Sequence, residues 1–525
     1  MKSNNELLET IESLHNQLKE KEKKIEQLSF RIDCLLRHRY TSRSEKLDPS
    51  HPQMSLFDEP EIDPVLEEAL HDSNDEIIEV PAHKRKKSGR KPLPDDLPRI
   101  LREYDLPEHE KICACGCDLS PIGESTSEQL EIIPAVMYVI KHIKKKYACK
   151  ACEETVKQAK SPTQPIPKSN AGPGLLAHLL VSKYQDHLPL YRQENILKRI
   201  GVEVSRATLC NWVLRCGELF QPLINLLIKT INQYNVGYAD ETTVQVLKEP
   251  ERAPDKKSYM WVFGGGPPDK FSWIYQYHPS RSGDIPNGFF DEFSGYLHVD
   301  GYAGYNDISN TILVGCWAHA RRKFVEVAKS AKNKKGLAHH VICEIKKLYK
   351  VEKDAKKNNL SHEDLKQLRN EKSKPLLDKL FIWLNEKQKT TPPKSPIGKA
   401  IAYTLNQWGK LVRYLDDGRL EIDNNRSERA VKPFVIGRKN WMFSDRVHGA
   451  KAGANIYSLI ETCKANGIEP YAYLRFILKT LPVTQNPDDL EALLPFNCDP
   501  DLLITEQLED RKTIVRMISE SQAGS

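Results

Sequence analysis

The spacing of apolar residues changes character along the chain, and each change marks a segment. From residue 7 to 35, Leu7, Ile11, Leu14, Leu18, Ile25, Leu28, Ile32 and Leu35 recur at alternating steps of three and four, with Lys21 in one core position. A polar helix cannot bury such a strip alone, so the pattern predicts a coiled coil between copies over 1–48, the alternative being docking on the protein's own body. From 174 to 216 the period is again helical, in PLYRQENILKRI, then Gly201, then Ser205 opening RATLCNWVLRC. Gly201 suits a tight turn and Ser205 an N-cap, which predicts a helix-turn-helix over 170–225 with Ile196, Ile200, Leu209, Trp212 and Val213 in its core. Arg206, Asn211 and Arg215 are then left for DNA. Beyond 235 the period becomes that of strands: VGYADETTVQVL, SYMWVFGG, FSWIYQYH, GYLHVDGYAGY and ILVGCW, the last leading into a helix, which predicts an α/β sheet.

Length and charge refine this picture. A chain of 525 residues predicts several domains, and no apolar run approaches the ~18 residues of a membrane span. The start, MKSNNELLETIESL, lacks a basic stretch followed by an apolar one, so a cytoplasmic protein is expected. Residues 55–80 hold ten acidic side chains and no Lys or Arg, whereas 82–91 hold six basic ones, which reads as a charged linker over 49–95. Within it Lys86 and Arg90 are candidates for the DNA minor groove. Among twelve cysteines, Cys113, Cys115 and Cys117 precede Cys149 and Cys152 across strand-like sequence. Two such knuckles predict a zinc ribbon over 96–165, with Cys113, Cys115, Cys149 and Cys152 as ligands and Cys117 as an alternative member of the first pair.

The chemistry centres on carboxylates. Asp240 closes the first strand run and Asp300 the fourth, so two carboxylates are expected at the ends of adjacent strands. Hard divalent ions, Mg²⁺ or Mn²⁺, prefer such oxygens, and two ions suit phosphodiester chemistry. Glu428, in EIDNNRSERAVKPF, is the third candidate, on a helix expected to start near Asp423 and stop before Pro433; Glu421 and Asp423 are weaker ones. Lys432, Arg438 and Lys439, with His319 and Arg322 of CWAHARRKF, are the expected phosphate contacts.

The motifs YTSRSEKLDP, GRKPLPDDLPR, CACG, YACKACE, HLPLYRQENILKRIGVEVSRATLCNWV, YADETTVQVL, HVDGYAGYN, GCWAHARRKF and EIDNNRSERAVKPFVIGRKNWMF, in this order, resemble the transposases of the insertion sequence 66 family. The resemblance implies an RNase H-like catalytic domain over 232–475, with Asp240, Asp300 and Glu428 in the three acidic positions and a helical insertion at about 325–400. It also implies metal-dependent cleavage and strand transfer at element ends, homo-oligomers, small accessory proteins of the same element, and a bacterial, nucleoid-associated setting. The C-terminal segment, 476–525, ends in a tail after Pro500 that lies outside the resemblance. The rival reading is a DNA-binding regulator with an inert nuclease-like domain.

Overall fold

The computed structural model describes residues 137–148, 156–159, 163–330, 336–484, 486–505, 512, 513 and 516. The predicted coiled coil, the charged linker with Lys86 and Arg90, and all five candidate zinc cysteines lie outside the described residues. Of the cysteine-bearing region two strands remain, β1 (Lys146–Ala148) and β2 (Val156–Gln158), paired antiparallel.

Four helices follow: α1 (Pro173–Tyr184), α2 (Leu190–Arg199), α3 (Arg206–Leu219) and α4 (Gln221–Asn232). The turn between α2 and α3 needs Gly201, whose φ of +83° is strained for any residue with a Cβ. Ser205 caps α3 by accepting from the Thr208 amide at 3.2 Å. Leu209, Trp212 and Val213 are buried as expected, but Ile200 is exposed, and Leu197 and Gln193 take the inward positions of α2. The chain leaves the helix at Ile200, so its side chain escapes the periodicity that the sequence suggested.

The central sheet contains β3 (Val236–Lys248), β4 (Lys257–Gly265), β5 (Ser272–His278), β6 (Gly295–His298) and β7 (Thr311–Val314), in the order β5-β4-β3-β6-β7. β5, β4 and β3 are antiparallel neighbours, whereas β3, β6 and β7 run parallel. A short helix, α5 (Asp284–Phe289), precedes β6, and α6 (Trp317–Ser330) follows β7. The stretch expected to be a helical insertion holds α7 (Leu337–Lys357), α8 (His362–Leu368), a π turn (Arg369–Ser373), α9 (Lys374–Thr390) and α10 (Pro396–Asn406).

After the insertion come α11 (Trp408–Leu411), α12 (Asn425–Trp441), a short strand β8 (Ser444–Arg446) beside β3, α13 (Val447–Ala465) and α14 (Pro470–Thr480). The helix carrying Glu428 does not stop before Pro433; it runs through it. An internal proline costs about 3 kcal/mol, which burial of Val431, Phe434 and Val435 offsets, and the Tyr275 hydroxyl donates to the Ala430 carbonyl in the turn before Pro433.

Nearly every face of α13 is buried. It covers the open edge of β5, where the Ser458 hydroxyl accepts from the Tyr275 amide at 2.8 Å and the Thr462 hydroxyl from the Trp273 amide at 3.0 Å. Covering an edge in this way removes a template for pairing with other chains. On another side α13 meets α3, where a Cβ on Gly217 would lie 2.5 Å from that of Ala452, and Asn455 donates to the Gly217 carbonyl at 2.9 Å. Helix α3 is therefore packed onto the same body as the sheet. Among the described residues no helix is long and apolar enough to cross a membrane.

Candidate active site

Asp240 lies in the middle of β3, not at its end. The strand reads on to Lys248 because β4 pairs along Gly237–Gln245 and β8 along Val246 and Lys248. β6 pairs with β3 only as far as Tyr238 opposite His298; continuing that register places Asp300 opposite Asp240, where β6 has already ended. The carboxylates thus face a gap that opens at the carboxyl end of the parallel pairing.

Asp240 Oδ1 accepts from the Glu241 amide, and Asp300 Oδ1 from the Tyr302 amide, each at 2.8 Å. Glu428 reaches the same place from the first turn of α12. That helix is registered against β3 by Asn424, which donates to the Ala239 carbonyl at 3.1 Å and whose amide donates to Cys316 Sγ at 3.2 Å. Asp423, a weaker candidate in sequence, accepts from the Asn425 amide and from the Tyr349 hydroxyl of α7, and so anchors the helix start. Glu421 lies 3.9 Å from Arg426.

Burial, then the charges of Glu241, Asp300 and Glu428, hold the Asp240 carboxyl well above the usual carboxylate range. Glu428 is raised by burial too, against the opposing pull of Arg322, whose Nη2 is 3.5 Å away. The nearby guanidinium groups are turned to other acids, Arg281 to Glu241 and Arg322 to Glu428. Among the described residues no ion pair joins a basic side chain to Asp240 or Asp300. Two carboxylates without an ion-paired base, beside a third that Arg322 partly neutralises, fit a hard divalent cation. Glu428 Oε1 and His319 Nδ1 are also buried without hydrogen-bond partners, 3.5 Å apart, and Cys316 Sγ completes a trio of ligand-type atoms within 4.8 Å of one another.

His319 was expected as part of a basic face for DNA. Instead burial, helped by Arg322 and Lys323, pushes its pKa down to about 4, so near neutral pH it is an uncharged imidazole beside Glu428. Arg438 also departs from its expected place: it donates to the Thr243 carbonyl and hydroxyl and ties α12 to β3, its Nη1 already engaged. Lys439 is exposed and Lys432 half-buried on the same helix. Arg206, Asn211 and Arg215 are exposed on α3, with Arg206 3.3 Å from Glu194 and Arg215 3.0 Å from Glu218. The sequence did not single out Glu241, whose buried side chain is held by Arg281 and the Tyr305 hydroxyl. The only signal for it was an acid next to Asp240.

The family described as Transposase IS66 family matches residues 168–452, which include this whole site. The chain belongs to the IS66 transposase family. Three further family descriptions match in order: Transposase C of IS166 homeodomain at 27–102, zinc-finger binding domain of transposase IS66 at 110–153, and IS66 C-terminal element at 458–496. The zinc-finger match spans Cys113, Cys115, Cys117, Cys149 and Cys152, and so implies structural Zn²⁺. Two relatives from Sinorhizobium fredii (strain NBRC 101917 / NGR234) are similar over most of their length. "Uncharacterized protein y4jD" is 35% identical over 425 residues, 77% of this chain and 82% of the relative. "Uncharacterized protein y4qI" is 33% identical over 500 residues, 91% of this chain and 90% of the relative. Membership in this family implies DNA as partner and use of divalent metal.

Proposed function

We propose that this chain is a DDE transposase that cuts and rejoins DNA at Asp240, Asp300 and Glu428. The observation that carries the reading is the pair Asp240, on β3, and Asp300, two residues past the end of its parallel neighbour β6, close enough to raise the Asp240 carboxyl and without a paired base. The sheet order, three antiparallel strands continued by two parallel ones, supports the RNase H-like fold that the family resemblance implies.

Asp240 and Asp300 would hold Mg²⁺ or Mn²⁺, with Glu428, ion-paired to Arg322, as the third ligand. Bound there, the ions supply charge neutralisation and an activated oxygen for in-line attack at phosphorus. Arg322, Lys432 and Lys439 bring positive charge for the DNA backbone next to a negative site. His319, being neutral, adds no charge that would repel the metal. Water attacks phosphorus at the element's end and breaks the P–O3′ bond, leaving a 3′-hydroxyl on the element and a 5′-phosphate on the flank; that hydroxyl then attacks a target phosphodiester, joins to its phosphorus and expels the target strand's 3′-hydroxyl. Arg206, Asn211 and Arg215, with Lys86 and Arg90, contact the ends; two of Cys113, Cys115 and Cys117 join Cys149 and Cys152 on structural Zn²⁺; the N-terminal helix pairs protomers.

The test is incubation of the purified chain with labelled element ends and Mg²⁺, beside Asp300→Asn. Metal-dependent 3′-hydroxyl products lost in the variant support the proposal. End binding without cleavage by either protein, even with the proteins encoded beside it in the element, makes the chain a DNA-binding regulator.

A further inference from the structure

We propose that Arg281 is a positioning residue that sets the spacing of Asp240 and Asp300, and through it the affinity of this site for divalent metal. The inference rests on the carboxylate reading given above and extends it to residues outside the three acids.

Each aspartate is oriented by one backbone amide, Asp240 by that of Glu241 and Asp300 by that of Tyr302. These two neighbours are far apart in sequence, and the Arg281 side chain joins them. Its Nε donates to Glu241 Oε1 at 2.7 Å, and its Nη2 donates to the same oxygen. Its guanidinium carbon stacks 3.8 Å from the centre of the Tyr302 ring, and the Tyr302 hydroxyl donates to the Arg281 carbonyl. The second Glu241 oxygen accepts from the Tyr305 hydroxyl, and Tyr305 is fully buried against Trp261. The result is a closed bracket: Asp240, Glu241, Arg281, Tyr302, Asp300.

The exposure of the two partners argues for this role over a loose surface pair. The Glu241 side chain is 3% exposed and that of Arg281 41%, so the carboxylate is enclosed and the arginine lies over it. A planar fork that bonds an acid and stacks on an aromatic ring fixes both at once, which an ammonium does not do. Partners that orient metal ligands in this way typically change metal affinity by ~10–100-fold when removed.

The sign of the effect separates geometry from charge. Removing a cation beside a metal site strengthens metal binding by electrostatics alone, whereas loss of positioning weakens it. The experiment is a Mn²⁺ titration of the zinc-loaded full-length chain, read from the electron paramagnetic resonance signal of free Mn²⁺. Wild type is compared with Asp240→Asn, Arg281→Met, Arg281→Lys and Tyr302→Leu, and the affinity of each for labelled element ends is measured without Mn²⁺. The expected result is ~10-fold weaker Mn²⁺ binding in Arg281→Met and Arg281→Lys, with end binding unchanged. Tyr302→Leu removes the stacking platform while keeping the amide, and decides the matter in the same way should Arg281→Met not fold. Arg281→Met that binds Mn²⁺ as tightly as wild type, or more tightly, overturns the inference; a parallel loss of end affinity then makes Arg281 a phosphate contact. Wild type and Asp240→Asn binding Mn²⁺ alike overturns instead the carboxylate reading on which it stands.

Discussion

Arg369→Met tests how the inserted helices hold the segment that leads into Glu428. Arg369 opens the π turn and is 1% exposed. It forks onto Glu352 of α7 at 2.9 and 2.7 Å, and donates to the carbonyls of Tyr414, Asp417 and Leu420 at 2.7, 3.1 and 2.8 Å. Met is similarly long and apolar, so packing is largely kept and the loss is electrostatic. Breaking a buried ion pair by removing one partner costs ~3–5 kcal/mol. Glu352 retains 18% of its side-chain exposure, which favours the lower end, ~3 kcal/mol. The three carbonyls together add ~1 kcal/mol, since such losses are not additive. A total of ~4 kcal/mol corresponds to ~1000-fold faster opening of residues 413–424, measured by amide hydrogen exchange with mass spectrometry. Adding Glu352→Leu removes the stranded charge and should recover about half of the loss. Acceleration of less than about tenfold, or a double variant no slower than the single one, refutes the reasoning.

Three further outcomes follow from other contacts. Gly217→Ala should destabilise the α3–α13 packing by ~1–3 kcal/mol, because its Cβ would meet the Cβ and Cα of Ala452 at 2.5 and 2.6 Å; thermal melts read this, and adding Ala452→Gly should restore part of it. Asp240→Asn should raise the stability of the metal-free chain by about 1 kcal/mol, since it removes a buried carboxylate under repulsion; in saturating Mg²⁺ the order should reverse, because wild type alone gains from binding. His319 has a folded pKa of about 4, below the unfolded value near 6.5, so its contribution is fully present above pH ~6.5 and is lost as pH falls toward 4. The raised Asp240 and Glu428 act in the opposite sense, so the measurement is the difference between wild type and His319→Gln melts over that window, with the variant losing less stability.

The strand runs were legible because alternating and continuous apolar stretches survive in sequence, and the order of motifs carried the family. Where elements end was less legible. Asp240 seemed to close a strand because acids are poor strand residues, but pairing with β4 and β8 carries β3 past it. Pro433 seemed to stop a helix that burial on both sides holds together. At the site, the three acids could be nominated from spacing and resemblance, whereas Arg281 and Tyr305 could not. They reach Glu241 across 40 and 64 residues of chain, and no local pattern encodes such a meeting. Residue type alone makes His319 and Arg438 DNA contacts; burial and partners, which only the fold reveals, make one a neutral imidazole and the other a brace between α12 and β3.

Asp300→Cys tests most directly whether Asp300 ligates the catalytic metal. A thiolate disfavours Mg²⁺ and tolerates softer ions such as Mn²⁺. Cleavage of labelled element ends by this variant should be lost in Mg²⁺ and regained in Mn²⁺, while wild type cuts in both. Wild-type cleavage by Asp300→Cys in Mg²⁺ would contradict the account.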